Sequence, residues 1–235
     1  MPQERRGATN NRTSRPARSV WEGNHVYLNR LAIYSAAMTF ADLDNIVVLH
    51  GPVLTRLTDE EFFDLCQHNP TVRLERNADQ EIIFMPPAGA ESSLKCGEVF
   101  FQLMLWNRQH QLGYVFESSA GFTLPDGSIR SPDASWVAKA AYEALPEEQR
   151  LRFPPVCPTF VVEVRSPSDG LAPLRRKMET YLANGVEVGF LLDPTHETAT
   201  IYRRGQEPEE INSFDTTLSA EPALPGFELD LRPLR

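Results

Sequence analysis

Two acids placed where acids are uncommon carry the chemistry in this sequence. Glu163 lies inside Phe160-Val161-Val162-Glu163-Val164-Arg165, the strongest strand pattern in the chain. Alternation along a strand sends Phe160, Val162 and Val164 to one face and Val161, Glu163 and Arg165 to the other. A run this apolar suits a strand covered on both faces, and glutamate is rarely buried without a partner. Glu163 therefore requires a metal, a donor or a cation, and either Arg165 or a lysine could supply the last. Asp133 follows Pro132 and opens the segment Asp133-Ala134-Ser135-Trp136-Val137. Proline holds the residue before it extended and favours a strand's first position. Asp133 thus stands at the start of a strand, as a turn residue or as a ligand.

Lys177 is the third candidate. Leu171, Leu174, Met178, Tyr181 and Leu182 form the buried stripe of a helix predicted over 171–184. Lys177 comes three residues after Leu174 and four before Tyr181, so it lies on or beside that stripe. Its ammonium either snorkels to the surface or reaches a carboxylate. Ser166-Pro167-Ser168-Asp169 offers N-caps, Pro173 fits the first turn, and Asn184-Gly185 has the left-handed chemistry of a C-cap.

The elements that must position these residues can be read in order. Thr58 followed by Glu61 is a capping box ahead of Phe62, Phe63 and Leu65, and predicts a short helix ending near His68. A hairpin follows over 72–76 and 81–85, stopped by Pro86-Pro87. Residues 89–110 read as a helix with Leu94, Val99, Phe100, Leu103 and Trp106 near one face. Gly113 ends it, and a strand runs over 114–117. Strands at 122–124 and 128–130 flank the turn Pro125-Asp126-Gly127. A polar helix is predicted around 140–150, a buried strand over 188–192, and a closing hairpin at 198–202 and 208–211. This order predicts an α/β fold with a mixed sheet flanked by helices. It lacks the regular alternation of a doubly wound nucleotide fold, and neither GxGxxG nor GxxxxGK[ST] occurs.

The 235 residues suffice for one sizeable core. No apolar run approaches the ~18–20 residues that cross a bilayer, so no membrane partner and a cytoplasmic protein are expected. Cys66, Cys96 and Cys157 have neither zinc nor redox spacing, and the five histidines form no HExxH pair. Buried free thiols are expected, and zinc is not. The net charge of −9 divides into +4 over residues 1–37 and −13 over the rest. An acidic body counts against broad nonspecific nucleic-acid binding but leaves room for a local basic groove. The first twenty or so residues have almost nothing to bury and are expected to be disordered. Met38 is an internal candidate start, which makes residues 1–37 either a basic arm or an untranslated extension of the reading frame. The expected division is 1–44, a disordered or mis-annotated extension, and 45–235, the folded domain.

Taken together, Pro132-Asp133 and Glu163-Val164-Arg165 resemble the PD-(D/E)XK nuclease signature, with arginine in the lysine position. Longer stretches sharpen the likeness: Arg73-Leu74-Glu75-Arg76, Ile82-Ile83-Phe84-Met85-Pro86-Pro87, Arg130-Ser131-Pro132-Asp133-Ala134-Ser135-Trp136, Val162-Glu163-Val164-Arg165-Ser166-Pro167-Ser168-Asp169 and Leu192-Asp193-Pro194. Over about residues 45–235 the chain resembles the Uma-two family of endonucleases, abundant in cyanobacteria. The resemblance implies a restriction endonuclease-like fold, a Mg²⁺ site that also accepts Mn²⁺, and metal-dependent hydrolysis of phosphodiester bonds in DNA. Asp133 matches the motif aspartate and Glu163 the motif acid; both would ligate the metal, with the Val164 carbonyl helping. The ion would polarise the phosphate and activate a water. Glu75 matches an acidic family position on the hairpin, whereas Glu91 could supply the superfamily's helix acid, and the choice between them stays open. Arg165 departs from the signature. Arginine stays protonated and can hold a water or a phosphate but cannot act as a base, and Lys177 is the natural substitute. The alternative is a non-catalytic binding protein that keeps the nuclease fold, favoured by Arg165 and the acidic body. A two-carboxylate glycosidase is disfavoured, since aromatic residues are not concentrated near either acid. By analogy with nucleases that pair to cut two strands, a homodimer is expected.

Overall fold

The computed structural model describes residues 40–43 and 46–235, with side chains from residue 47 onward. Two six-stranded sheets organise them. The first contains β1 (Phe40–Leu43), β2 (Ile46–Leu49), β3 (Arg73–Arg76), β4 (Ile82–Met85), β6 (Phe122–Thr123) and β7 (Ile129–Arg130). Its order is β1-β2-β4-β3-β7-β6, with every pairing antiparallel. The second contains β5 (Gly113–Glu117), β8 (Ala134–Ala138), β9 (Phe160–Val164), β10 (Val188–Asp193), β11 (Thr198–Arg203) and β12 (Glu209–Ile211), in the order β12-β11-β10-β9-β8-β5. Only β9 and β10 run parallel, which requires a crossover, and a helix supplies it. The sheet is therefore mixed. A small hairpin, β13 (Thr217–Ser219) with β14 (Glu228–Asp230), follows.

Three longer helices cover these sheets: α1 (Asp59–His68), α2 (Ala90–His110) and, after two short ones, α5 (Leu171–Asn184). α1 begins as the capping box requires: Thr58 accepts from the Glu61 N–H, and the Glu61 carboxylate accepts from the Thr58 N–H at 2.9 Å. Its Phe62 closes a cluster with Leu54, Ile82 and Ile129 on the first sheet. On the second sheet, the predicted alternation of β9 separates two cores. Phe160, Val162 and Val164 pack with Val99, Leu103 and Trp106 of α2. Val161 packs on the other side with Met178 and Tyr181 of α5. β9 is buried at all five positions, so Glu163 is forced into the layer beneath α5.

Several boundaries differ from the sequence expectation, each for a local reason. In the first sheet β1 pairs with β2, Phe40 opposite Leu49. Residues 1–39 lie outside the described residues, and so does the expectation attached to them. α2 ends not on glycine but on Gln111, which takes the left-handed conformation at φ 53°. Gly113 opens β5 instead: a Cβ there would lie 2.3 Å from the Val137 carbonyl oxygen and 2.5 Å from the Trp136 ring. The helix expected around 140–150 is two, α3 (Lys139–Glu143) and α4 (Glu147–Arg150). Pro146 separates them, since its ring excludes the preceding turn. α5 is capped by Gly170 without a side-chain bond, because Asp169 is occupied in accepting from the Ser166 N–H at 2.9 Å. At its far end Gly185 takes φ 117°, as a left-handed C-cap requires. The three cysteines are free and half-buried.

Candidate active site

The β8–β9 ladder brings the two acids together. Ala134 opposes Val162 at the end of the antiparallel ladder, which directs Asp133, the residue just before β8, toward the Glu163–Val164 end of β9. The Val164 N–H donates to Asp133 Oδ2 at 2.8 Å, fixing the aspartate to the backbone just beyond Glu163. Asp133 is half-buried and Glu163 buried.

Lys177 takes the inward option. Its Nζ lies 2.8 Å from Glu163 Oε1 and 2.9 Å from Glu75 Oε1, with the side chain 10 % exposed. Two further donors complete this arrangement. Tyr181, one turn along α5, donates its hydroxyl to Glu163 Oε1 at 2.9 Å. Glu75 on β3 also accepts from Arg130 Nη1 at 3.0 Å and from the Ser131 N–H at 2.9 Å. Glu75 is thereby saturated. Glu91 is exposed in the first turn of α2 and forms no hydrogen bond or ion pair with the cluster. Of the two acids left open by the sequence, the structure brings Glu75 into the cluster.

Arg165 goes elsewhere. It shares the Glu163 face of β9 but leans across to β10, where Nη1 meets Asp193 Oδ2 at 2.5 Å and Nε donates to the Asp169 carbonyl at 2.9 Å. His196 Nδ1 lies 2.9 Å from the same Asp193 oxygen. These groups line a half-open cleft of about 330 Å³ beside the N-terminal turns of α5. The ion pair that Glu163 could have made with Arg165 is made with Lys177.

The electrostatics are uneven. Burial pushes Glu75 up, but Lys177, Arg130 and the Ser131 N–H outweigh it and bring the carboxyl down to about 2. Burial pushes Glu163 up to about 7; Lys177 opposes the rise, while Asp133 and Glu75 add to it. Asp133 is also raised, by burial above all, against the pull of the Val164 N–H. Burial would deprotonate Lys177, but Glu163 and Glu75 more than reverse that and raise its pKa. Burial, with Glu163 and Glu75 beside it, raises the Tyr181 phenol well above its usual value. Lys177, Arg130 and the Ser131 N–H thus hold Glu75 in its charged form, whereas burial pushes Asp133 and Glu163 toward the protonated one.

A divalent cation beside two such carboxyls would favour their ionised form, and each offers it an oxygen. Asp133 Oδ1 and Glu163 Oε2 accept no hydrogen bond among the described residues. Neither is a sealed, partnerless atom of the kind that Ser135 Oγ or Arg130 Nε is. Among the described residues no group of three or more His, Cys, Asp or Glu side chains is arranged to hold a metal. An ion here would rest on two carboxylates, a main-chain oxygen and water, the sparse all-oxygen ligation that Mg²⁺ accepts.

Residues 59–232 match the Uma2 family, described as "Putative restriction endonuclease". The chain belongs to the Uma2 family. Among solved structures, this Uma2 chain is similar to one from Anabaena variabilis ATCC 29413, described as a "putative nuclease belonging to DUF820". The two share 20 % identity with a TM-score of 0.63, over 76 % of this chain and 97 % of that one, which establishes a common fold. No curated protein matches. Among the described residues, no helix of this Uma2 protein is long and apolar enough to cross a membrane.

The sequence points to every acid of the cluster and to Lys177, but not to Tyr181 or Arg130 as donors. By its pattern Tyr181 reads as core, although its place four residues after Lys177 puts both on one helix face. Arg130 stood in the quoted motif without a role. The pairing of Arg165 with Asp193 and His196 depends on the β9–β10 register, which no local pattern encodes.

Proposed function

We propose that this protein is a divalent-metal-dependent endonuclease that hydrolyses phosphodiester bonds in DNA. The observation that carries the reading is Asp133, just ahead of β8 and bonded to the Val164 N–H, beside Glu163 on β9, each with one oxygen anchored and one without a donor. Family membership supports hydrolytic chemistry on DNA, since the family is described as "Putative restriction endonuclease". Asp133, Glu163 and the Val164 carbonyl would hold Mg²⁺ or Mn²⁺. When bound, such an ion supplies Lewis acidity toward the phosphate and a lowered pKa for a coordinated water.

The remaining work falls to the chain itself. Lys177, protonated between two carboxylates, presents fixed positive charge next to the reacting centre and stabilises negative charge that develops there. Tyr181 fixes which oxygen of Glu163 faces inward. Glu75 and Arg130 hold the ammonium in place from the other sheet. Arg165 supplies none of these functions, being engaged by Asp193.

That engagement favours a second reading, a DNA-binding protein that keeps the fold without cleaving. One experiment separates them. Mn²⁺ titration calorimetry on the wild type, Asp133→Ala and Glu163→Ala, followed by plasmid nicking, should show binding and nicking in the wild type alone. Metal binding without nicking would favour the second reading. Wild-type nicking retained in Asp133→Ala would remove the site assignment altogether.

A further inference from the structure

α2 buries Val99, Leu103 and Trp106 and leaves its opposite face in water. Leu94 is 69 % exposed, Phe101 58 %, Leu105 48 %, and Leu112, just past the helix end, 44 %. At 3.6 residues per turn, Leu94, Phe101 and Leu105 lie within about 20° of the direction opposite Leu103, in a line about 17 Å long. Single exposed leucines are ordinary, whereas aligned large apolar residues mark an interaction surface. Gly97 flanks this line inside the helix. A Cβ there would meet nothing within 4 Å, so packing within the protomer does not explain a residue that weakens a helix relative to alanine.

We infer that this face is the interface of a homodimer in which two copies of α2 pack antiparallel about a two-fold axis beside Leu103. The pattern matches its own reversal. Phe101 and Leu105 stand equally far from Leu103 on either side, and so do Glu98 and Arg108. Antiparallel pairing sets Phe101 of one copy on Leu105 of the other at both ends of the contact, the self-complementarity that an isologous interface requires. The same pairing lays Arg108 of one copy across Gly97 of the other, where the missing Cβ leaves room for its stem. Glu98 then comes within reach of the guanidinium. Arg108 is exposed and makes no hydrogen bond or ion pair among the described residues. An unrelated partner would give no reason for this symmetry. A single helix pair is a small interface, of the weak and transient class.

Sedimentation velocity of the full chain through the micromolar range tests the inference. The wild type should shift from monomer to dimer with concentration, and Phe101→Glu and Leu105→Glu should stay monomeric with unchanged circular dichroism and melting. Gly97→Gln should lose about tenfold or more in dimer affinity while the dilute protein melts higher, since the helix improves as the gap fills. A wild type that stays monomeric throughout, or a dimer that survives both glutamate variants, overturns the inference. Unchanged dimer affinity in Gly97→Gln overturns the register.

Discussion

Arg165 Nη1 and Asp193 Oδ2 meet at 2.5 Å where the parallel strands β9 and β10 end. The guanidinium in the motif-lysine position is thus a strand-end clasp, directed away from Glu163. Arg165→Ala should therefore retain Mn²⁺ affinity within a few-fold of wild type while losing about 1–3 kcal/mol of stability, as expected for a hydrogen-bonded charge left without its partner. Calorimetry and urea denaturation on the same preparation give both numbers. Loss of metal binding in this variant would return Arg165 to the reacting centre.

The same clasp sets a pH dependence. Burial acts to raise Asp193, but hydrogen bonds from Arg165 and His196 prevail and hold its carboxyl below the usual range. A depressed carboxylate contributes stability that is present above the unfolded pKa, about 3.9, and is lost as pH falls through the folded value. Asp193→Asn should accordingly flatten the acid limb of a stability-against-pH profile below about pH 4. An acid limb identical to wild type would show that the clasp carries no proton-linked stability.

Lys177→Met leaves Glu75 and Glu163 buried without their shared cation, and breaking such an arrangement costs about 3–5 kcal/mol. Added Mn²⁺ should recover more stability in this variant than in the wild type, because binding to the folded state alone stabilises it and the divalent charge replaces the missing one. The check is urea denaturation with and without Mn²⁺. Equal increments in the two proteins would mean that metal and ammonium do not share one electrostatic site.

Tyr181→Phe removes one hydroxyl and nothing else. Loss of the 2.9 Å bond to Glu163 Oε1 should cost about 1 kcal/mol of stability. It should also weaken Mn²⁺ binding roughly 10–100-fold, the range seen when a ligand loses its orienting partner. A stability loss with unaltered metal affinity would make Tyr181 a core residue only.

Gly113→Ala puts a methyl against the Val137 carbonyl and the Trp136 ring. Backbone cannot yield as a flexible side-chain tip can, and overpacking of this kind costs about 2–3 kcal/mol. Thermal melting should show it, with Mn²⁺ affinity preserved because Glu163 lies in the layer under α5, on the other side of β9.

The legible parts of the fold were those encoded by short-range chemistry. The Thr58–Glu61 capping box and the two-faced alternation of β9 stand in the structure as the sequence predicts them. The misread parts depended on distant partners. Gly113 has the composition of a helix stop, but its requirement comes from β8, more than twenty residues on. The hairpin of β13 and β14 is built from segments too short to show a period. The acids of the cluster could be picked out because a carboxylate inside an apolar strand is conspicuous, whereas Tyr181 and Arg130 look like ordinary core and loop residues until the sheets are assembled around them.

Glu75 belongs to the first sheet and Glu163 to the second, and one ammonium joins them. The two sheets are riveted at the same atoms that frame the reacting centre. Slippage of one sheet past the other would have to part Lys177 from Glu75 or from Glu163, so the cohesion of the domain and the geometry of its site rest on the same two ion pairs.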